Sequence, residues 1–144
     1  MLNTVIAHDW DVIHMVAVNN MGDKIAALNY YGMSADSKKI VLIYDATNGK
    51  AIASLAEEKD SFIGNTDIEI CFNHYGDKLA TTGFDGIARV WSISQQAEST
   101  AKIFEAEGFC QSIAFNREGS KLAAGYSNGA VRVWDANTGK NLFG

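Results

Sequence analysis

Proline is absent from this chain of 144 residues, where average usage of about 5% would supply roughly seven. Turns must be made by glycine, asparagine and aspartate, and thirteen glycines are on hand. Cysteine is scarce: Cys71 and Cys110 have neither CxxC spacing nor histidines at ligand distance. They read as reduced thiols of an intracellular protein, cytoplasmic or nuclear. No stretch approaches about 18 apolar residues, so no transmembrane helix and no membrane insertion is expected. The opening MLNTVIAHDWDV lacks a basic region ahead of a long apolar run, and no signal peptide is expected. Basic charge is in deficit, with 12 Lys+Arg against 17 Asp+Glu and a net charge of −5. Phosphate binding needs a basic patch, which argues against nucleic acid as a direct partner and for a cationic protein partner. No convincing amphipathic helix is found either.

What the chain does have is repetition. NNMGDKIAAL (19–28), NHYGDKLATTG (73–83) and NREGSKLAAG (116–125) share Asn-x-x-Gly, then Asp or Ser, Lys, Ile or Leu, and Ala. Each follows a short apolar strand: VAV (16–18), ICF (70–72) and IAF (113–115). Each precedes another: IVLIYD (40–45), IARVWS (87–92) and AVRVWD (130–135). ATNGK (46–50) and ANTGK (136–140) then turn the chain into AIASL (51–55) and NLF (141–143), and KIF (102–104) closes the middle unit. Gly76 and Gly119 lie 43 residues apart, as do Trp91 and Trp134, whereas Gly22 and Gly76 lie 54 apart. Alternation at period two, β-branched and aromatic enrichment and regular turn signals predict four short strands per unit.

A four-stranded unit of this length ending in Trp-Asp resembles the WD-repeat β-propeller family. KLAAGYSNGAVRVWDANTGK (121–140) lies close to a consensus repeat, KLATTGFDGIARVWS (78–92) is good, and KIVLIYD (39–45) is weak. The resemblance implies an all-β fold: about three propeller blades of four antiparallel strands, plus an extra N-terminal strand near residues 2–7. The expected single segment, 1–144, divides into blades at about 8–55, 62–104 and 108–144. In the family a His, a Ser or Thr, an Asp and the Trp often form a hydrogen-bonded network in each blade. Blade 2 offers Thr81, Asp85 and Trp91 without the histidine. Blade 3 has Ala124 in the hydroxyl's place beside Asn128 and Trp134, and blade 1 has His8 but Tyr44 for the tryptophan. Packing is therefore expected to carry more stability than these networks.

Closed propellers have 4–8 blades. Three make an incomplete ring whose end faces would expose apolar surface. NLFG (141–144) reads as a strand cut short, so the chain is expected to be a piece of a longer propeller. The alternatives are a ring completed by a second copy, as a homo-oligomer, or a module capped by a partner.

Catalytic and ligand chemistry finds little support. YGDKLA lacks the spacing of a phosphate-binding loop and leads into a strand, so Asn73–Gly76 reads as a turn with Lys78 facing water. His8, His14 and His74 show no metal-ligand spacing, no metal or cofactor is expected, and no nucleophile–base pair can be assembled. Cys71 takes the place of Ala17 and Ala114, a small buried apolar position. The chain is expected not to be an enzyme.

Charge placement is the informative signal. Links between blades hold Asp9, Asp11, Glu57, Glu58, Asp60, Glu105 and Glu107 against Lys59 alone. Trp10, Phe62 and Phe109 lie in the same links, Phe84 and Tyr126 in second–third turns, and Tyr30, Tyr31 and Met33 in the long loop of blade 1. The opposite face would collect Lys24, Lys50, Lys78, Arg117, Lys121 and Lys140 beside Asp23, Asp77 and Glu118. The bland alternative is solvated loop charge with aromatics packed between blades. An acidic, aromatic face suits a Lys- or Arg-bearing peptide. The expected function is thus a non-catalytic protein–protein interaction platform. Its candidate partner-binding residues are Asp9, Trp10, Asp11, Tyr30, Tyr31, Glu57, Glu58, Asp60, Phe84, Glu105, Glu107 and Tyr126. The second expectation is a structural scaffold that completes its ring through self-assembly or a partner chain.

Overall fold

A computed structural model of the chain describes residues 12–30, 39–56, 69–83, 85–93 and 101–144. Among these residues all regular structure is β, as the alternating patterns require. The strands are β1 (Val12–Val18), β2 (Lys24–Tyr30), β3 (Lys39–Asp45), β4 (Ala51–Ala56), β5 (Ile70–Phe72), β6 (Lys78–Thr82), β7 (Ile87–Ser92), β8 (Ala101–Glu105), β9 (Cys110–Phe115), β10 (Lys121–Tyr126), β11 (Val131–Asp135) and β12 (Asn141–Phe143). They form three four-stranded sheets, β1–β4, β5–β8 and β9–β12, each with its strands in sequence order. Neighbouring strands are antiparallel throughout. This is the architecture of incomplete propeller blades. The expected N-terminal strand near residues 2–7 lies outside the described residues.

The repeated Asn-x-x-Gly-(Asp/Ser)-Lys segment explains itself once its hydrogen bonds are traced. In each blade the glycine N–H donates to the asparagine carbonyl, at 3.0, 3.1 and 2.9 Å for Gly22, Gly76 and Gly119. The asparagine side chain then ties both sides of the turn. Its Oδ1 accepts from the backbone N–H of Lys24, Lys78 and Lys121 at 2.9, 3.0 and 2.8 Å. Its Nδ2 donates to Asp23 and Asp77 at 2.6 Å, and in blade 3 to Ser120 Oγ at 3.1 Å. The glycines have φ of 72°, 68° and 66°, where a side chain would be strained. The asparagine, the glycine, the following Asp or Ser and the lysine N–H are thus occupied by turn geometry.

The same turn touches its neighbour. A Cβ built on Gly76 would lie 2.4 Å from Asn19 Nδ2, and one on Gly119 would lie 2.9 Å from Asn73 Nδ2. Each asparagine therefore abuts the turn glycine of the following blade.

Apolar packing joins the blades over a wider area. Ala26, Leu28, Val41, Ile43 and Leu55 of blade 1 cluster with Ile70, Leu79 and Trp91 of blade 2. Ala80, Ala88, Val90 and Phe104 of blade 2 cluster with Ile113, Leu122, Ala124, Tyr126 and Trp134 of blade 3. Period-two alternation makes this possible: each sheet has two apolar faces, one for the preceding blade and one for the next. Cys71 packs against the second cluster, in keeping with its reading as a small apolar residue. Of the expected networks, blade 2 keeps the bond from Trp91 Nε1 to Thr81 Oγ1, at 3.0 Å and buried.

The third–fourth turn of blade 1 is held by Asp45, which accepts from Thr47 N at 2.7 Å and from Thr47 Oγ1 at 2.5 Å. The Thr47 side-chain bond holds its carboxyl below the usual range, and the Asn19 bond does the same for Asp23. A depressed folded-state pKa gives stability above the ordinary aspartate pKa that is lost on acidification. Packing remains the larger effect. Leu79→Ala, at a position with 0% exposure between blades 1 and 2, is expected to cost about 2–5 kcal/mol in urea denaturation monitored by tryptophan fluorescence.

Candidate protein-interaction face

In a meandering antiparallel blade, the second–third turns and the interblade links share one end. The described parts of that end are the β6–β7 turn, the β10–β11 turn and the link between β8 and β9. The link is built into blade 3. Phe109 N–H donates to Ser127 Oγ at 3.1 Å, and Ser127 N–H returns a bond to Phe109 O at 2.9 Å. Asn128 Nδ2 donates to Glu107 O at 3.1 Å, while Asn128 Oδ1 accepts from Ala130 N–H at 3.0 Å. From the other side the β6–β7 turn closes in: a Cβ on Gly86, at φ +75°, would meet Gly108 O at 2.4 Å. The link is thus clamped between the turns of two successive blades, with Glu107 exposed and Phe109 56% exposed, and Glu105 exposed at the end of β8.

Of the expected site residues, Glu107 lies on this link, whereas Glu105, expected in the link, is the last residue of β8 and pairs with Ile87. Tyr126 is different: it is buried, with its ring 6.4 Å from that of Trp134 in an edge-on contact. It packs in the core because β10 alternates and Tyr126 follows Leu122 and Ala124 on the face toward blade 2. Tyr30 ends β2. Asp9, Trp10, Asp11, Tyr31, Glu57, Glu58, Asp60 and Phe84 lie outside the described residues.

The expected roles of charged residues are corrected in three places. Asp45 and Asp135 sit in the third–fourth turns and accept backbone bonds there. They add acid to the end that was expected to be mildly basic. Lys78 does not simply face water: it is half-buried, and its Nζ donates to Asn137 Oδ1 of blade 3 at 2.7 Å. Asp85, expected in the tryptophan network, instead pairs with the buried Arg89, with Oδ2 2.6 Å from Nη2. It also accepts Ile87 N–H at 3.0 Å.

One residue escapes sequence reasoning. Glu69, just before β5, reaches across to blade 3, where its carboxylate accepts Ile113 N–H at 2.6 Å. Only its position one residue before a repeated strand hints at this, and blades 1 and 3 carry Met15 and Ser112 there.

The thiols are chemically quiet. Burial, and secondly the Glu69 carboxylate, push Cys71 up to about 12. Burial likewise pushes Cys110 up to about 11. Both remain protonated near neutrality, so neither is an activated nucleophile. Burial raises the Tyr126 hydroxyl as well, with Cys110 beside it. Among the described residues no group of three His, Cys, Asp or Glu side chains could hold a metal ion. No helix there is long and apolar enough to cross a membrane.

Three blades of this kind define a propeller-type repeat protein, and comparison with known proteins makes the assignment specific. The family model "WD domain, G-beta repeat" matches residues 57–92 and 99–135, just over half of the chain. The chain belongs to the WD-repeat family. That membership supports a protein-interaction role, and the family is typically non-catalytic. A chain of the solved "Crystal Structure of Mitotic Checkpoint Complex" is similar, with a TM-score of 0.71 and 16% identity over 95% of this chain. This chain spans 38% of the length of that relative. At such identity the likeness speaks for the fold, and 571 matching chains of solved structures show how widely that fold is used. No curated protein matches the sequence.

The clamp on the link yields a direct test. Gly86→Ala forces both a positive φ and a collision with Gly108 O, at a cost of about 2 kcal/mol. Hydrogen exchange of the Phe109 and Ser127 amides is expected to accelerate about tenfold or more, while amides of blade 1 keep their protection.

Proposed function

We propose that the chain is a non-catalytic interaction module that takes a Lys- or Arg-bearing segment of a partner protein on its link-side face. The observation that carries this reading is the pinned link. Phe109 stands exposed beside Glu107, on a backbone fixed by Ser127 and Asn128. A fixed acidic and aromatic surface offers salt bridges and cation–π contacts without ordering a loop on binding. The remaining links, at 7–11 and 56–62, carry the same residue types: Asp9, Trp10 and Asp11, and Glu57, Glu58 and Asp60. These residues are further candidates for the same partner by their chemistry.

The opposite end supports the assignment by contrast. There Asp23, Asp45, Asp77 and Asp135 are engaged in turn bonds. Lys24 lies 3.4 Å from Asp23, and Lys78 is committed to Asn137. These four aspartates and Lys78 are engaged in holding the fold.

Fluorescence anisotropy with Lys- and Arg-containing peptides, and acidic peptides as controls, tests the reading. The basic peptides are expected to bind more weakly as salt rises. Glu105→Lys with Glu107→Lys should weaken them about tenfold, or about 1.4 kcal/mol, with an unchanged circular dichroism spectrum. Reversal of Glu57, Glu58 and Asp60 should do the same. Equal affinity in the reversed variants, or equal binding of acidic peptides, would overturn the assignment.

A further inference from the structure

Blade 2 holds the first residues of blade 3 at two points. One is the close approach of Gly86 to Gly108. The other is Glu69. Within its sheet β9 pairs with β10 alone, so N–H groups on its other edge have no strand to bond to. Ile113 N–H lies on that edge and donates to the Glu69 carboxylate at 2.6 Å, the short distance of a charge-assisted bond. Glu69 is itself fixed. Its N–H donates to Thr82 Oγ1 at 2.9 Å, and Thr82 N–H returns a bond to Glu69 O at 3.0 Å. Thr82 is the last residue of β6 and fully buried, so the carboxylate is offered from an anchored backbone.

This grip falls where the ladder of blade 3 is irregular. Ser112 faces Gly125 and Cys110 faces Tyr126, which leaves Gln111 as the extra residue of a bulge. A bulge interrupts the ladder and re-aims the side chains beside it. Gln111 and Ser112 are accordingly both exposed, between the buried Cys110 and Ile113. The direction in which the chain enters β9 from Phe109 therefore depends on how the bulge is held. Ile113 follows the bulge and Gly108 precedes it, and Phe109 lies between these two contacts with blade 2. Blade 1 carries Met15 at the position of Glu69, and a thioether is at most a weak acceptor.

We infer that Glu69 is a positioning residue of the link-side face. By holding Ile113 across the joint between blades it sets the bulge, and through the bulge the direction in which Phe109 and Glu107 are presented to a basic segment. The inference rests on the peptide-binding reading of that face and adds to it a residue that acts through the backbone rather than by touching the partner. Reach is then what matters at Glu69, more than charge. An oxygen acceptor at the same distance from the backbone keeps the bond, and a carboxylate on a shorter stem loses it.

Two variants of the full chain separate reach from charge. Glu69→Asp keeps the charge and shortens the stem by one methylene; Glu69→Gln keeps the reach and removes the charge. Amide exchange and anisotropy with the Lys- and Arg-containing peptides are measured on both, at a temperature where circular dichroism shows them folded. In Glu69→Asp the Ile113 and Phe109 amides should exchange about tenfold faster. Its peptide affinity should fall about fivefold, whereas Glu69→Gln should bind within about twofold of the parent. Parent-like affinity of Glu69→Asp despite faster exchange would make the bond a structural tie and overturn the inference. The reverse order of affinities, with Glu69→Gln weak and Glu69→Asp unchanged, would overturn it too, since charge rather than position would then be the cause. Both of these outcomes leave the peptide reading standing. A parent that binds no basic peptide overturns that reading, and this inference with it.

Discussion

An asparagine side chain wedged between two turns organises this protein. In each blade it closes the first–second turn, with its carbonyl oxygen on one backbone N–H and its amide on an acceptor four residues later. In the two internal joints it also rests on the next blade's glycine, at a distance no Cβ would allow. The glycine is thus needed twice over, once for its positive φ and once for the lack of a side chain. The apolar clusters contribute more free energy, because they bury whole strand faces. Hydrophobic contact is not directional, however, and a sheet face could slide along its neighbour. The asparagine–glycine contact fixes where along the strands two blades meet.

That register governs the face where a partner is proposed to bind. Once the blades are aligned at one end, the opposite end brings the β8–β9 link between the turns of blades 2 and 3. The bonds from Ser127 and Asn128 then fix Glu107 and Phe109. Electrostatics divides along the same axis. At the turn end, the Asn19 side chain holds Asp23 below the usual carboxylate range, and Thr47 does the same for Asp45. At the link end Asp85 is neutralised by Arg89, while Glu105 and Glu107 face solvent. Acidic residues at the two ends therefore do different work despite similar numbers.

Much of this fold is legible in the sequence. Period-two alternation marks the strands, and recurrence in register marks the blades. The glycine-rich punctuation marks the turns, because these features depend on near neighbours along the chain. Glu107 is readable as a link residue for the same reason, whereas Glu105 ends β8. What escapes depends on contacts between blades. Nothing local marks Glu69 as the acceptor for Ile113 N–H, 44 residues away. Nor does it mark Lys78 as a donor to Asn137. Tyr126 differs from its expected place because the strand continues one residue into the expected turn, and alternation then points its ring inward. Asp45 and Asp135 change the charge of the turn end because each is the last residue of a strand, where its carboxylate reaches forward to the turn's own N–H groups.

The central claim is that the asparagine–glycine contact couples adjacent blades, and a double-mutant cycle on Asn73 and Gly119 measures that coupling. Gly119→Ala carries a strain from its positive φ in either background, so this part cancels in the cycle. The collision with Asn73 Nδ2, at 2.9 Å from the added Cβ, exists only when Asn73 is present. The penalty of Gly119→Ala in urea denaturation should therefore be smaller by about 1 kcal/mol in the Asn73→Ala background. Strictly additive penalties would contradict the claim and leave the blades joined by apolar packing alone.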